Sequence, residues 1–401
     1  MKEKLLMLCY RAPYPIRSGS EIRMYQFLEI LSEEYEITLL YLQEHDETED
    51  MSPLYEKCHR VEKFRVAKWK RCCQAILGYL FLNQPLQVGY FYSREMKEWM
   101  EMHASEYPNI LCMHIRTLQY LLRMKKLQPT STKVYLDGID AITLNYYNSY
   151  KTSHGIRKLM NWMEYRRMAV YETRAYEEVE KSILISERDK EYITGQLGVK
   201  CEPKIIYNYA IDYGYMPEIE KQKCTIAFMG KMDYAPNVDA VIHFVNGVYQ
   251  DLKKHYPKLE FQIIGGNATA EIQRLGQLDG IEICGFVENP AELLQRATLV
   301  IAPMVSGSGL QNKIVQAMYL GCAVVTTPIG ADGLTGVSEK ELIIAESQEE
   351  MLDKMIEYLD ENADMARKQI GQNAREYIKQ NYSYEKIQKE VIGFFAEREA
   401  L

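Results

Sequence analysis

The sequence predicts an α/β protein made of two domains, each with a parallel β-sheet covered by helices. The first observation is length, because 401 residues exceed what a single hydrophobic core ordinarily holds. The second is an alternation of short apolar runs with segments of helical periodicity, which is typical of parallel sheets. The third is a lapse of this periodicity over residues 213–223, where a proline and mixed charges indicate a linker. We therefore expect an N-terminal domain at residues 1–215 and a C-terminal domain at residues 222–380.

The composition excludes several classes of protein. Hydrophobic residues make up 47% of the chain and charged residues 26%, as in soluble globular proteins. No apolar run reaches the roughly 18 residues that cross a bilayer, and the apolar start at residues 5–10 is interpreted as a buried strand and not a signal peptide. The nine cysteines are odd in number and form no CxxC pair, which favours reduced thiols in a cytoplasmic protein and argues against a structural zinc.

The net charge of −8 is unevenly distributed along the chain. Residues 57–133 carry 14 Lys and Arg against 5 Asp and Glu. Such a basic region is typical of a face that binds a polymer or an anionic membrane, and a solvated face without a partner is the alternative. Within it, a basic segment at residues 63–71 precedes an apolar one at 76–82, which can lie on a membrane surface or form an ordinary helix with one solvated side. We expect no nucleic-acid partner.

The first half of the chain alternates as the fold class requires. Strands are predicted at residues 5–10, 37–42, 109–113, 134–136, 182–186 and 204–207, and helices at residues 21–33 and 157–181. His114 follows one of these strands, and Asp137 and Asp140 follow the next. Ligands bind in parallel sheets just past the carboxyl ends of the strands. These three side chains are therefore candidate ligand contacts, with a core or surface histidine as the alternative for His114.

The second half repeats the alternation and ends in polar helices. Strands are predicted at residues 225–229, 259–264, 281–284, 298–302 and 323–327, and helices at residues 238–244, 290–296 and 310–320. The last predicted helix, at residues 384–400, has an apolar side that includes Val391 and Phe394. We expect this helix to pack back on the N-terminal domain.

The stretch from residue 297 to residue 327 has the order strand, glycine loop, helix, strand. Its loop, Ser306–Gly309, can bring bare backbone close to a ligand, and the helix that follows directs unpaired N–H groups toward the same place. Lys313, in the first helical turn, adds a full positive charge. This pattern predicts an anion site. The alternative is an ordinary turn, because the spacing is neither a Walker A loop nor GxGxxG.

Four predicted strand ends in the second half carry glycine-rich or polar loops. These loops are Gly230-Lys231, Gly265-Gly266, Gly285-Phe286-Val287 and residues 306–313. A nucleotide with a charged linker fits such an edge. We expect a diphosphate on the Gly309 and Leu310 amides and on Lys313, a flat base against the backbone of residues 285–287, and a sugar projecting into a cleft between the domains.

With these motifs the sequence resembles the retaining glycosyltransferases of family 4, which have the GT-B fold of two Rossmann-like domains facing across a cleft. The matching segments are Arg11–Pro15 with Ser18–Ser20, Gly230–Ala240, and Gly307–Lys313 running into Ala317-Met318. The resemblance covers nearly the whole chain and is strongest to sugar transferases of bacterial exopolysaccharide systems. It implies transfer of a sugar from a nucleotide-diphosphate sugar to a polysaccharide or lipid-linked acceptor, with retained anomeric configuration. Together with the basic region at residues 57–133, this predicts a location at the inner face of the plasma membrane.

The resemblance also implies the roles of individual residues. His114, Lys231 and Lys313 would be catalytic, the two lysines by stabilising charge on the departing diphosphate, and Asp137 and Asp140 would contact the acceptor. The implied donor-binding residues are Gly19, Ser20, Gly230, Gly285, Phe286, Val287, Gly307, Ser308, Gly309, Leu310 and Gln316. Because the lysines take the place of a metal ion, we expect no metal and no other cofactor.

Two positions depart from the family pattern. Ser20 stands where a second glycine is usual, and Gln316 stands where a glutamate usually binds the nucleotide ribose. An uncharged acceptor at position 316 is expected to weaken donor binding by about 1–2 kcal/mol. Two alternatives to a transferase follow: a nucleotide-sugar-binding partner that has lost catalysis, and a sugar-nucleotide epimerase of the same fold.

Overall fold

The computed structural model describes residues 2–43, 50–124, 132–217, 219–307 and 309–396. The chain divides into two compact units. The first contains the residues up to Asn208 together with those from Gln388 onward, and the second comprises Tyr209–Ile387. None of the helices in the described residues combines the length and the apolar character that crossing a bilayer requires.

In its described residues the first unit has a seven-stranded parallel sheet flanked by helices, in the strand order β3-β2-β1-β4-β5-β6-β7. Its strands are β1 Glu3–Cys9, β2 Tyr35–Gln43, β3 Arg60–Arg65, β4 Asn109–Met113, β5 Lys133–Ile139, β6 Lys181–Leu184 and β7 Lys204–Ile205. Its helices are α1 Gly19–Glu34, α2 Ser52–Lys57, α3 Lys68–Phe81, α4 Leu86–Tyr90, α5 Arg94–His103, α6 Ile115–Met124, α7 Ile142–Thr152, α8 Gly155–Glu177 and α9 Glu187–Glu191.

The central strands of this sheet, β1 and β4, are buried on both faces. The continuous apolar runs Leu5–Cys9 and Ile110–Met113 are fully buried, as expected for parallel strands with helices on both sides. The strand order runs outward in opposite directions from β1 and β4. Their carboxyl ends therefore form the switch point of the sheet, where ligands bind in open α/β folds. Tyr10 and His114 are the first residues past these two strands.

The second unit repeats the architecture with six parallel strands in its described residues, in the order β10-β9-β8-β11-β12-β13. Its strands are β8 Thr225–Met229, β9 Glu260–Ile264, β10 Ile281–Gly285, β11 Leu299–Ala302, β12 Val324–Thr326 and β13 Ile343–Ile344. The helices that follow in the chain are α10 Ala235–Phe244, α11 Gln250–His255, α12 Ala270–Leu275, α13 Ala291–Arg296, α14 Asn312–Tyr319, α15 Pro328–Ala331, α16 Gln348–Leu359, α17 Asp364–Asn381 and α18 Tyr384–Ala396.

The switch point of the second sheet lies between β8 and β11. The loop after β8 is held against the loop after β9 by an unusually close approach of two glycines. A Cβ atom on Gly265, whose φ is +153°, would lie 1.8 Å from the carbonyl oxygen of Gly230. Only glycine fits there. Gly265 therefore has a structural reason for its identity, separate from any contact with a ligand.

The last helix carries aromatic residues that belong to the first unit. Phe395 of α18 lies with its ring 4.6 Å from the ring of Tyr135 on β5 and 6.0 Å from that of Tyr35 on β2. The ring of Phe394 lies 5.8 Å from Tyr135, and its carbonyl accepts a hydrogen bond from the Lys181 ammonium. Because both phenylalanines are buried, α18 completes the core beside this sheet.

Candidate active site

Lys313, in the first turn of α14, is a largely buried cation surrounded by uncharged groups. Its Nζ donates hydrogen bonds to Asn237 Oδ1 at 2.7 Å and Gln311 Oε1 at 3.2 Å. The same atom lies 3.4 Å from Met304 Sδ and 5.4 Å from the centre of the Phe228 ring. Among the described residues no carboxylate lies within ion-pair distance of it, and the first turn of α14 contains no acid.

Burial without a countercharge lowers the pKa of Lys313 from its ordinary 10.5 to about 7. An anion placed next to Nζ favours the charged ammonium and therefore raises this pKa again. The lysine also sits where the first N–H groups of α14 give a helix start its positive potential. A bound anion would neutralise the charge of Lys313 and accept hydrogen bonds from these N–H groups.

Asn237 joins this lysine to the loop on the other side of the switch point. Its side chain is buried; Nδ2 donates to the carbonyl of Lys231 at 2.9 Å, and Oδ1 accepts from Lys313. A Cβ atom on Gly230 would come within 2.7 Å of Asn237 Nδ2, so Gly230 makes room for this bridge. Asn237 lies within the matching segment Gly230–Ala240 but was not predicted as a site residue.

The Lys231 side chain points to solvent from the loop after β8. This side chain is 40% exposed, and its Nζ lies 3.4 Å from Asp233 Oδ1. The structure therefore brings together the backbone of Lys231 and the ammonium of Lys313 through Asn237. It pairs the Lys231 ammonium with an acid of its own loop.

The loop before α14 presents backbone amides. Within the described residues, the N–H groups of Gly309 and Leu310 donate no hydrogen bond. Gly309 adopts φ +69°, a conformation that glycine takes without strain. Gly333 supports the loop from behind, because a Cβ atom there would lie 2.5 Å from the Cα of Leu310. Gly307 belongs to the same loop, and the predicted contact Ser308 lies outside the described residues.

Two other predicted donor contacts are placed differently. Phe286, between Gly285 and Val287 at the end of β10, is 71% exposed, so its ring face is open to stacking on a flat base. Gln316 is buried on α14, where its Oε1 accepts from the N–H of Ile211 at 3.1 Å and its Nε2 donates to the carbonyl of Ile211. Both ends of its amide are thus used by the backbone, a pairing that the sequence did not predict.

The first unit gathers polar groups at its own switch point. His114 is buried and adopts φ +78°, a strained conformation for a residue with a side chain. Its Nδ1 accepts a hydrogen bond from the N–H of Arg116 at 3.3 Å, which leaves the ring proton on Nε2. Burial, reinforced by the charges of Arg116 and Arg11, holds the pKa of His114 well below 6.5. His114 is therefore a neutral hydrogen-bond donor at neutral pH.

Arg116 is a functional candidate that the sequence analysis missed. Its guanidinium lies 4.6 Å from the ring centre of Tyr10 and 4.8 Å from that of Phe91, and Nε donates to Gln87 Oε1 at 2.8 Å. Arg11 approaches the Tyr10 ring to 4.9 Å. Within the described chain Arg116 has no carboxylate at ion-pair distance. The signal in the sequence was its place two residues after the histidine.

The predicted Gly19 and Ser20 contacts start α1 in the same region. Gly19 is the first residue of this helix. The Ser20 hydroxyl accepts a hydrogen bond from Tyr10 Oη at 2.8 Å. The serine that departs from the family pattern therefore helps to orient the Tyr10 ring, which the guanidinium groups of Arg11 and Arg116 both approach.

The interpretation of Asp137 as an acceptor contact needs correction. Its carboxylate has 0% exposure and lies 2.7 Å from Arg23 Nε, which is equally buried. It also accepts from the N–H of Ile139 at 3.0 Å. A carboxylate enclosed in this way supports the turn that ends β5 and does not face a substrate.

Asp140, three residues on, is in a different position. It is only partly buried, and its Oδ2 accepts from Asn145 Nδ2 at 2.7 Å. Burial, with the negative charge of Asp189, raises the pKa of Asp140 to about 6. It therefore changes charge near physiological pH and remains a predicted acceptor contact.

Among the described residues, no group of three or more His, Cys, Asp or Glu side chains is arranged to hold a metal ion. All nine cysteines lie in the described residues, and each is a free thiol.

Two units, each a parallel sheet with polar loops at its switch point, define the class: the chain has the GT-B fold of two Rossmann-like domains. The expected α/β architecture is confirmed. Residues 223–361 match the family model described as "Glycosyl transferases group 1". Over 398 residues the chain is 21% identical to the "Uncharacterized 44.6 kDa protein in cps region" of Klebsiella pneumoniae, which covers 96% of this chain and 97% of that protein.

Solved structures extend the similarity over both units. Sucrose-phosphate synthase from Thermosynechococcus elongatus superposes with a TM-score of 0.71 at 13% identity, over 98% of each chain. HepE of Anabaena in complex with UDP gives a TM-score of 0.67 at 15% identity, over 98% of this chain and 99% of that one. HepE has also been solved with UDP-glucose. At such identities the likeness establishes the fold.

Proposed function

We propose that this protein is a retaining glycosyltransferase that moves a sugar from a nucleotide-diphosphate donor to a glycan or lipid-linked acceptor. The observation that carries the proposal is the largely buried ammonium of Lys313, which has no carboxylate within ion-pair distance in the part of the chain that the structure describes and is joined by Asn237 to the neighbouring loop. The family match over residues 223–361 and the nucleotide sugar bound by HepE support it.

The chemistry that these groups suit is departure of a nucleoside diphosphate. The bond between the anomeric carbon and the phosphate oxygen breaks, and its electron pair stays on the diphosphate. Lys313, Lys231 and the amides of Gly309 and Leu310 stabilise that charge. The acceptor oxygen bonds to the anomeric carbon on the same face, and its proton passes to the departing phosphate oxygen. A metal has no necessary part in these steps.

The first unit would handle the sugar and the acceptor. A neutral His114 donates from Nε2 to a sugar hydroxyl, and Asp140 accepts from a hydroxyl of the acceptor. The relative from a cps region of Klebsiella pneumoniae supports a role in making an extracellular polysaccharide. Nine free thiols agree with a cytoplasmic location.

A second candidate function rests on Gln316. Because both ends of its amide are bound to Ile211, this side chain gives no charge-assisted hydrogen bond to a ribose. If the donor therefore binds in an unproductive position, the protein is a nucleotide-sugar-binding partner without catalytic activity.

A thermal-shift panel of UDP-, GDP- and ADP-sugars tests the proposal. A ligand bound only by the native state at 100 times its Kd adds about 2.7 kcal/mol of stability, so one donor should raise the melting temperature distinctly. Slow release of free sugar from that donor without acceptor indicates a transferase. Binding without any release indicates the inactive partner, and conversion to another sugar nucleotide indicates an epimerase. No shift with any donor contradicts all three.

Replacing Asn237 with aspartate is expected to weaken donor binding about 10- to 100-fold. The new carboxylate is close in size to the amide but pairs with Lys313 and repels the diphosphate. Titration calorimetry with the donor measures the change, and N246D, at an exposed asparagine of the same unit, is the matched control. Equal affinities of N237D and the wild type would remove the bridge from the donor site.

Asp140 predicts a pH dependence of acceptor binding. Since its pKa is raised to about 6, the carboxylate is charged above that pH and becomes protonated as the pH falls through it. The KM for the acceptor should therefore rise below about pH 6, while the KM for the donor stays level. The D140N variant should show a high acceptor KM that does not vary over this range. A wild-type acceptor KM without an inflection near pH 6 contradicts the assignment.

A further inference from the structure

Helix α3 of the first unit buries a charged and two small side chains and exposes its large apolar ones. Its buried positions are Arg71, Ala75 and Gly78, a charged residue and two small ones. Its large apolar side chains face solvent instead and are 54 to 77% exposed; together with the residue that follows the helix they are Trp69, Ile76, Leu77, Leu80, Phe81 and Leu82. Contiguous exposed apolar patches mark binding surfaces in soluble proteins.

The packing of α3 fixes this orientation. Arg71 donates from Nε to the carbonyl of Val66 and from Nη2 to the carbonyl of Gln43, which ends β2. On the same side, Ala75 lies against Gly89 of α4, where a Cβ atom on the glycine would lie 2.9 Å from the Ala75 Cα. Rotating the helix to bury its leucines would force them into a contact that admits only small residues. The outward apolar side is therefore built into the fold.

The neighbouring helix α8 adds a second apolar surface, which the sequence analysis did not foresee. Residues 155–160, its first six, are all exposed. Ile156, Leu159 and Met160 stand at spacings of three and four, hence on one side of the helix. The two helices are in contact, because the Arg167 guanidinium lies 3.3 Å from the ring centre of Tyr79 on α3.

The charges in the chain segment that forms and flanks α3 are of one sign. Residues 63–94 contain six Lys and Arg and no Asp or Glu. Of these, Lys63, Arg65, Lys68 and Lys70 are exposed next to the apolar side of α3, as are Arg157 and Lys158 on α8. The one acid in the first half of α8, Glu164, is buried and accepts from the N–H of Leu86. In the described residues 63–94 and 155–163, apolar side chains are thus exposed among cations, which is the complement of an anionic bilayer.

We propose that α3 and the first turns of α8 form a docking surface that lies in the interface of an anionic lipid bilayer. Leu77, Leu80 and Phe81 enter the acyl boundary, and Lys68 and Lys70 contact the lipid phosphates. The surface holds the first unit at the membrane without spanning it. This inference does not depend on sugar transfer, although it would bring the proposed enzyme to a lipid-linked acceptor.

Co-sedimentation of the full chain with vesicles tests the proposal. The protein should bind vesicles that contain phosphatidylglycerol and bind phosphatidylcholine vesicles at least about tenfold more weakly, with a loss of affinity as salt is raised. The double variants L80S/F81S and K68E/K70E should each lower binding at least about tenfold. The variant M365S is the matched control, because Met365 is equally exposed on α17 of the second unit. The blue shift of Trp69 fluorescence on adding vesicles, absent in W69F, provides a second readout.

Other outcomes overturn the proposal. Background binding to phosphatidylglycerol vesicles at low salt would do so, as would binding that neither double variant reduces. If light scattering finds a wild-type dimer that L80S/F81S converts to a monomer, the surface is a protein interface instead. Each variant changes only exposed side chains, so its melting temperature should equal that of the wild type. Because L80S/F81S should keep the donor-induced thermal shift, failure of membrane binding and failure of donor binding are separate results.

Discussion

Replacing Lys313 with methionine is expected to lower sugar transfer at least about a hundredfold and at the same time to raise the melting temperature. The loss follows from removing a charged contact with the diphosphate, worth roughly 3 kcal/mol. The gain follows because methionine fills the site without bringing a charge out of water. Opposite effects of one substitution on activity and stability are typical of residues that serve a ligand and not the fold.

The sign of the stability change with pH follows from the lowered pKa. Lys313 binds its proton with a pKa of about 7 in the folded chain, against an ordinary 10.5. The penalty for burying the charge is fully present below about pH 7 and disappears as the pH rises toward the ordinary value. K313M should therefore melt above the wild type at about pH 6, and this difference should shrink toward about pH 10.

Calorimetric melting curves across this pH range, together with initial rates of transfer, measure both effects. The exposed Lys258 of the same unit supplies the matched control K258M, for which neither quantity should change. Turnover of K313M close to that of the wild type would take Lys313 out of the mechanism. A melting temperature below that of the wild type would mean that its hydrogen bonds outweigh its burial.

Breaking the ion pair between Arg23 and Asp137 is expected to destabilise the protein by about 3–5 kcal/mol. Both side chains have 0% exposure, so either single substitution leaves a buried charge without its partner. Arg23 also donates from Nη1 to the carbonyl of Ile206 at 2.6 Å and to Asn208 Oδ1 at 3.3 Å. Its loss therefore removes support from the end of the first unit as well as from β5.

The midpoint of urea unfolding in R23M and D137N measures this loss. The double variant R23M/D137L, with no charge left to neutralise, should recover part of it. The conservative variant R23K should remain well below the wild type, because lysine lacks the planar fork that reaches several acceptors. A loss below about 1 kcal/mol in both single variants would mean that water reaches the pair.

The sheets could be predicted from the sequence because buried parallel strands are written as continuous apolar runs. A strand can be predicted from each of these runs alone, as at Leu5–Cys9, Ile110–Met113 and Leu299–Ala302. The candidate anion site could be predicted for a similar reason, since its strand, glycine loop and Lys313 are adjacent in sequence. By contrast, β3 at Arg60–Arg65 carries alternating charges and was not predicted as a strand.

The long-range pairings in the candidate site and beneath it could not be predicted. The partners of Lys313, Gln316 and Arg23 lie 76, 105 and 114 residues away in the chain. Periodicity reports on near neighbours, whereas these contacts depend on which loops the strand order brings side by side. The outward orientation of the apolar side of α3 could not be predicted for the same reason, because the contact that fixes it is with Gly89 on a different helix.

The position of α18 has a consequence for how the protein is made. In the core of the first unit, Phe394 and Phe395 cover the ring of Tyr135. All of Tyr209–Ile387 is synthesised after Tyr135 and before these two phenylalanines. During translation the Tyr135 ring stays uncovered until the ribosome has also made Tyr209–Ile387 and the two phenylalanines that follow it. The second unit, contiguous in the chain, has no such delay. The unit whose strands are translated before those of the other is thus the unit whose core is completed last.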